Sequence, residues 1–495
     1  MNRPRTIVGW ALAPLLLSGL ASAQDSPNER IKKLEEQFES YKKQAEIERR
    51  DLLKQLDELK QQLPSREPGA NTNQALEDAV AELQVKISAM HERQTRAEAS
   101  RGARAAYIDI SYDALFTAGA SQATDTELDI VQPGGHDPHQ RGTTFVNGEL
   151  SLQGAVDPYF KGNVHIIHFI DRAGETGVEL EEAYLTTTQL PANLQLKAGH
   201  YFTEFGRLNR QHPHEWDFVD QPLINNRMFG GDGLRSPGAR LSWLAPTPFF
   251  LELQSGIQNA RGETVSSFLA NDEVYGGITG SSGAEIPGSI GGHPFIKDAV
   301  KTLGDMLYTQ RAAASFDLTD TSTILAGLSG LFGPNATGDD GHTEIYGFDF
   351  LYKWKPLNNE SGWPFIKIQN EWMWRNIHTD SVNADLDGDS INEVFTSKNY
   401  KDWGTYAQVL AGFARPWVAG FRIDWVDGDG ASTGGTGLLD RRIRLSPNIT
   451  YYPSEFSKIR LQANFDKLQE LGDHRFTSIW LQFEILFGSH GAHKF

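Results

Sequence analysis

The sequence predicts an all-β transmembrane barrel of about 16 antiparallel strands, preceded by an α-helical coiled coil. Three observations lead to this prediction: an export signal at the start, a change from heptad to alternating hydrophobicity near residue 104, and a last strand with one apolar face. The predicted division is a signal peptide at 1–23, a periplasmic coiled-coil segment at 24–100 and an outer-membrane β-barrel at 104–495.

The first residues have the layout of a secretory signal peptide. Arg3 and Arg5 supply the positive charge, residues 7–20 are mostly apolar, and Ala21-Ser22-Ala23 is a small-residue cleavage site before Gln24. After this site no stretch reaches the roughly 20 apolar residues of a membrane helix. A chain of this kind can enter a membrane only as a barrel.

Two helical segments follow the export signal. Residues 28–63 repeat apolar side chains on alternating three- and four-residue steps, and a second segment at about 74–98 continues this stepping. Neither face is broad enough to fold alone. Self-association, expected as a homotrimer, would bury the seam, which includes Ile31, Leu34, Phe38 and Tyr41. The alternative is a helix packed on its own barrel.

From Arg104 onwards the apolar residues recur at every second position. Sixteen candidate strands follow, from 104–118 to 474–487, separated by short turns and by long polar loops. In the last strand one face carries Ile479, Leu481, Phe483, Ile485 and Phe487, and we expect it to contact outer-membrane lipid. The pore-lining candidates are Trp480, Gln482, Glu484 and His165. The terminal Phe495 is the kind of mark that the barrel assembly machinery recognises.

Composition excludes several functions. The chain has no cysteine, which rules out disulfides and thiolate metal sites. Mean hydropathy is -0.43, which suits a barrel that exposes only alternate residues to lipid. The net charge is -18, and because 1–23 carries +2 and 24–103 carries -2, the barrel region holds all of it. This argues against nucleic acid as a partner and predicts cation preference in an open pore. No catalytic motif is present, so an enzyme is not expected.

A polar run between Gly199 and Asp217 holds the candidate metal site. His212 and His214 flank a proline, and in extended geometry their side chains leave the backbone on the same side. The candidate zinc ligands are His200, Glu204, His212, His214 and Glu215. The alternative is a loop folded into the lumen, in which these side chains form ordinary hydrogen bonds.

A second run resembles a calcium-binding loop. Asn383, Asp385 and Asp387 occupy the first, third and fifth ligand positions, and Gly388 lies at the turn. The twelfth position is Val394 instead of glutamate. An acidic surface loop is therefore the alternative to a calcium site.

Two family resemblances follow from these features. The order of signal peptide, short coiled coil and single-chain barrel resembles phosphate-selective porins and their relatives with periplasmic coiled-coil necks, which implies a trimeric diffusion channel. Residues 198–244, with Phe205-Gly206-Arg207-Leu208-Asn209 and His212-Pro213-His214, are similar to zinc-regulated outer-membrane receptors of the TonB-dependent kind, as is the tail at 488–495. This second resemblance implies a link to divalent metal. Such receptors pair a barrel of about 22 strands with a plug, for which the region after Arg104 is too short.

Three functional hypotheses remain open at this point. The first is a porin-like outer-membrane channel that passes small solutes or ions. The second is an outer-membrane receptor or importer that binds a divalent metal such as zinc. The third is a structural protein that anchors envelope layers through the coiled coil.

Overall fold

The computed structural model describes Lys54, 108–171, 173–269, 278–279, 285–286, 289–290, 292–359, 362–429, 440–469 and 471–488. The predicted signal peptide, nearly all of the predicted coiled coil and Phe495 lie outside these residues. The chain divides into two units, Met1–Ala105 and Ala106–Phe495, and the account below concerns the second.

The described residues of this unit form a closed barrel of sixteen strands, each paired antiparallel with its neighbours in sequence. The predicted strand number is thus confirmed. The barrel strands are β1 (Ile108–Ser121), β2 (Gly142–Ala155), β3 (Phe160–Ile170), β4 (Thr176–Thr187), β5 (Leu194–Phe202), β6 (Arg235–Leu244), β7 (Phe250–Gln258), β8 (Leu307–Thr319), β9 (Ser322–Pro334), β10 (His342–Trp354), β11 (Phe365–His378), β12 (Asn399–Ala414), β13 (Trp417–Gly428), β14 (Arg442–Ser454), β15 (Ser457–Leu468) and β16 (His474–Gly488).

Strands β1 and β16 close the barrel. Their ladder runs without interruption from Ser111 opposite Gly488 to Ser121 opposite Ser478. Closure leaves neither strand with an unpaired edge, as a lipid environment requires. Tight turns such as 415–416 and 455–456 lie at the end where β1 begins, and the longest connections lie at the other. In barrels of this type the short turns face the periplasm.

The last strand shows how the alternation becomes two different surfaces. Ile479 and Leu481 point outward and are 52% and 46% exposed. Trp480, which lies between them, and Glu484, further along the strand, point inward and are fully buried. The same outward apolar belt continues around the barrel, with aromatic side chains such as Trp372, Trp425 and Phe316 among its exposed members. The predicted lipid face is therefore an exposed apolar surface, and polar side chains fill the interior.

Short elements lie in the connections. Helix α1 (Asp125–Val131) begins at a Thr124 capping box and lies between β1 and β2, and helix α2 (Leu223–Phe229) lies between β5 and β6. None of the described helices is long and apolar enough to cross a membrane. The remaining elements are 3₁₀ turns at Pro191–Asn193, Pro213–Glu215 and Leu303–Asp305, and strand pairs Ile278–Thr279 with Glu285–Ile286, Ser289–Ile290 with His293–Pro294, and Val382–Ala384 with Glu393–Phe395.

The connection between β5 and β6, residues 203–234, is here called the lumen segment. It packs inside the barrel, where Phe205, Ile224 and Phe229 are fully buried or nearly so. They share an apolar cluster with wall residues such as Met373 and with Phe268 from the connection that follows β7. The connection is thus a loop inside the lumen.

Candidate functional site

The lumen segment is held by wall strands on several sides of the barrel. The backbone N–H of Leu208 donates to the Glu371 carboxylate of β11 at 3.0 Å, and that of Leu223 donates to the Asp424 carboxylate of β13 at 3.1 Å. On β15, Arg460 donates to the carbonyl oxygen of Trp216 at 2.9 Å. Because a long loop buried in a barrel exposes many backbone groups, these wall side chains supply the partners that water would otherwise provide.

Asp220 is the electrostatic centre of the segment. Its carboxylate accepts from the guanidinium of Arg422 at 2.6 Å and from that of Arg444 at 3.0 Å. Gln462 and Asn464 also donate to it, at 3.0 Å and 2.5 Å. Both arginines and the aspartate are almost completely buried, and each arginine also pairs with a wall carboxylate, Arg422 with Asp424 at 2.8 Å and Arg444 with Asp466 at 2.7 Å.

Gly206 allows the segment to approach the wall closely. Its φ is 58°, in the left-handed region, and a Cβ at this position would lie 1.9 Å from the Glu371 carboxylate. Glycine alone has both the backbone freedom and the missing side chain that this contact needs.

Histidines of the lumen segment meet carboxylates of the wall. His212 Nδ1 lies 3.1 Å from Glu149 Oε2 and 2.7 Å from Glu181 Oε2, and His212 Nε2 lies 3.1 Å from Glu182 Oε2. His165 Nδ1 on β3 lies 2.7 Å from Glu149 Oε1. One donor atom from each of Glu149, His165 and His212 lies within 4.8 Å of the other two. We call Glu149, His165, Glu181, Glu182 and His212 the histidine–glutamate cluster.

A β-bulge supplies two of its carboxylates. His165 pairs with Glu182 and Ile166 pairs with Leu180, so Glu181 is an extra residue in β4. Bulges re-aim side chains, and here both adjacent glutamates are buried in the interior instead of alternating between faces.

His214 borders the cluster, with its Nδ1 at 3.2 Å from Glu149 Oε2. Burial by itself lowers the pKa of His214, but Glu149 and Asp113 more than offset this and raise the pKa to about 9. Burial likewise opposes protonation of His212, and the Glu149 and Glu181 carboxylates nevertheless hold its pKa well above the usual range.

The predicted zinc ligands separate into two groups. His212 and His214 meet carboxylates, as described, but the other three have different surroundings. Glu204 pairs with Arg240 at 2.6 Å and Lys197 at 3.2 Å, and Glu215 is exposed. His200 precedes inward-facing Tyr201 on β5 and takes no part in the cluster. The structure therefore does not bring the five predicted ligands together, because strand register places Glu149 and His165 beside His212, whereas Glu204, Glu215 and His200 lie outside this group.

The predicted calcium loop lies in the connection between β11 and β12. Asp385 and Asp387 lie together with Glu393, each offering an oxygen within 4.8 Å of the others. The Asn383 side chain instead accepts from Asn392 at 2.9 Å. Backbone N–H groups of the turn already donate to Asp385, as is usual in a solvated acidic turn.

The four predicted pore-lining residues all face the interior. Gln482 accepts from Arg460 at 2.8 Å, Glu484 pairs with Lys458 at 2.6 Å, and His165 belongs to the cluster. Trp480 packs among apolar residues of α1 and the lumen segment, including Leu128 and Val219. Its indole thus faces inward but is covered by loop side chains.

Sequence reasoning missed Glu149, Glu181, Glu182 and Asp220. Glu149 and Asp220 have no local signal, since their partners are distant in sequence. Glu181-Glu182 did carry a signal, because two adjacent acids in an alternating strand point to a bulge.

No protein-family model matches the chain. An Aquifex aeolicus protein, described as uncharacterized, is 29% identical over 449 residues, covering 85% of this chain and 87% of its own. Similar solved structures include the outer membrane channel DcaP of Acinetobacter baumannii (11% identity, 77% of this chain and 97% of that one, TM-score 0.47). Another is OprB of Pseudomonas putida, which is 11% identical, with 79% of this chain and 96% of that one covered and a TM-score of 0.44. A third is an anion-selective porin of Comamonas acidovorans, which is 8% identical, with 77% of this chain and 100% of that one covered and a TM-score of 0.42.

These similarities assign no activity to the chain, and the phosphate-selective and TonB-dependent resemblances gain no support from a family model. The barrel itself has sixteen strands and not the roughly 22 of TonB-dependent receptors. A closed antiparallel barrel with an apolar outer belt and a polar, loop-filled interior has the porin-like fold of an outer-membrane channel, and the chain is located in the bacterial outer membrane.

Proposed function

We propose that this chain is an outer-membrane channel for small solutes or ions, narrowed by the lumen segment. The observation that supports this most directly is the lumen segment itself, which lies inside a closed barrel and is fixed to the wall through Asp220. A loop held in this way narrows a passage without breaking the barrel.

Unpartnered polar groups favour a hydrated path beside the segment. On the wall, both polar side-chain atoms of Asp113 and of Asn147 are buried without a hydrogen bond to the protein. The same holds for both polar side-chain atoms of Asn225 and of Asn226 on α2. Buried polar groups of this kind are normally satisfied by water. We therefore infer that water enters between the lumen segment and the wall.

We expect the conducting channel to prefer cations. The wall near β1–β4 and β16 is rich in acids, including Asp113, Glu149, Glu181 and Glu182, and the barrel region carries a net charge of -18. A carboxylate-lined passage concentrates cations and repels anions. Reversal potentials in a potassium chloride gradient measure this preference, and a clear anion preference would favour the phosphate-type alternative.

We also expect oligomers, as homotrimers held partly by the N-terminal segment. Deleting residues 26–100 should then weaken trimers on native gels, because the apolar seam at Ile31, Leu34 and Phe38 is lost. A truncated barrel that remains fully trimeric would show that assembly depends on the barrel alone.

Single-channel recording of the purified protein in planar bilayers tests the proposed function. We expect discrete conductance steps that scale with salt concentration. A folded, inserted protein that never conducts under any voltage would contradict the proposal and favour the structural-anchor alternative.

A further inference from the structure

We propose that Glu149, His165 and His212 form a binding site for a divalent transition-metal ion inside the barrel, linking the lumen segment to the wall. Glu181 lies close enough to His212 Nδ1 to complete the coordination, whereas Glu182 contacts the other ring nitrogen, Nε2, and would orient the imidazole. This site goes beyond the proposed channel function and does not depend on conduction.

The donor chemistry suits such an ion. Imidazole nitrogen together with carboxylate oxygen is the ligand set of zinc and related metals, and tetrahedral bonds of about 2.1 Å place ligands about 3.4 Å apart. On the Nδ1 side of His212, the distances to Glu149 Oε2 and Glu181 Oε2 are 3.1 Å and 2.7 Å. The ligands would therefore have to separate by about 0.3–0.7 Å to admit the metal.

The surroundings hold these donors in place. Ser151 donates its hydroxyl to Glu149 Oε1 at 2.7 Å, and the Phe202 N–H donates to Glu182 Oε1 at 2.9 Å. Hydrogen bonds of this type orient metal ligands and raise their affinity. Glu181 is fully buried, and its carboxylate lies 2.7 Å from His212 Nδ1 and 3.8 Å from His136 Nε2.

The location gives the metal a structural consequence. Three donors come from β2, β3 and β4, whereas His212 comes from the lumen segment. A bound ion would join the loop to β2–β4, whereas the Asp220 ion pairs join it to β13 and β14. The segment would then be fastened to the wall at two separate places.

The absence of cysteine allows a direct test with cobalt. In the untagged, EDTA-treated protein, Co²⁺ should give visible absorption bands that Zn²⁺ abolishes. With His212→Cys, a new thiolate-to-cobalt band should appear in the near ultraviolet, since the chain has no other thiol. The matched control is His168→Cys on the same strand as His165, because His168 contacts Tyr112 and takes no part in the cluster.

Equilibrium dialysis with Zn²⁺ gives a second measurement. We expect His165→Gln and His212→Gln to weaken zinc binding at least about 100-fold and His168→Gln to leave it unchanged. A thiolate band at position 212 but not at 168 would support the site even if a glutamine variant folds poorly. The absence of that band in folded His212→Cys protein, or equal zinc affinity in wild type and both glutamine variants, would overturn it.

Discussion

Replacing Asp220 with alanine should release the lumen segment and increase the single-channel conductance several-fold. The substitution removes the carboxylate through which Arg422 and Arg444 hold the segment, while each arginine keeps its wall partner, Asp424 or Asp466. Since both arginines belong to the wall, we expect the segment, and not the barrel, to move. Bilayer recordings and limited proteolysis within residues 203–234 measure the two effects.

A buried ion pair between wall strands gives the matched control. Arg311 and Asp349 form two hydrogen bonds of 2.7 Å and 3.1 Å between β8 and β10. Asp349→Ala should also lower stability, but it should change the conductance and the protease resistance of the segment less than Asp220→Ala does. Equal conductance in the Asp220 and Asp349 variants would mean that Asp220 does not hold the segment in place.

Replacing Leu481 with arginine should lower the free energy of unfolding by about 2–4 kcal/mol, since charge on the lipid face near the bilayer centre carries this cost. Leu481 is 46% exposed and lies at the middle of β16. Denaturant titration of the protein folded into lipid vesicles measures the change.

Val394→Arg is the control for this substitution. Val394 is 67% exposed, but it lies in the short strand pair between β11 and β12, outside the barrel wall. Arginine there should change the unfolding free energy little. A similar loss in both variants would contradict the assignment of the β16 outer face to lipid.

The barrel could be predicted because its signal is local. Each strand alternates apolar and polar residues along its own length, so β16 shows its two faces without knowledge of its neighbours. The beginning of β12 carries the weakest signal. The strand begins at Asn399, although its apolar alternation becomes clear only near residue 404. Its first residues are polar because they extend beyond the apolar belt.

The interior could not be predicted in the same way. His212 and His214 were chosen because they lie near each other in sequence, but their carboxylate partner Glu149 is brought by folding of the lumen segment against β2. Asp220 has the same local sequence character as any loop aspartate. Asp220 holds the lumen segment because folding places Arg422 and Arg444 beside it on adjacent wall strands, together with Gln462 and Asn464.

Paired bilayer recordings of the wild type and of a variant with residues 207–231 replaced by a short glycine–serine linker test the central claim most directly. The sixteen wall strands are untouched by this change, so the barrel should still insert. If the lumen segment narrows a water-filled channel, the variant will show conductance steps several-fold larger than those of the wild type. Identical steps in the two proteins, or no conductance from the inserted variant, would contradict the account.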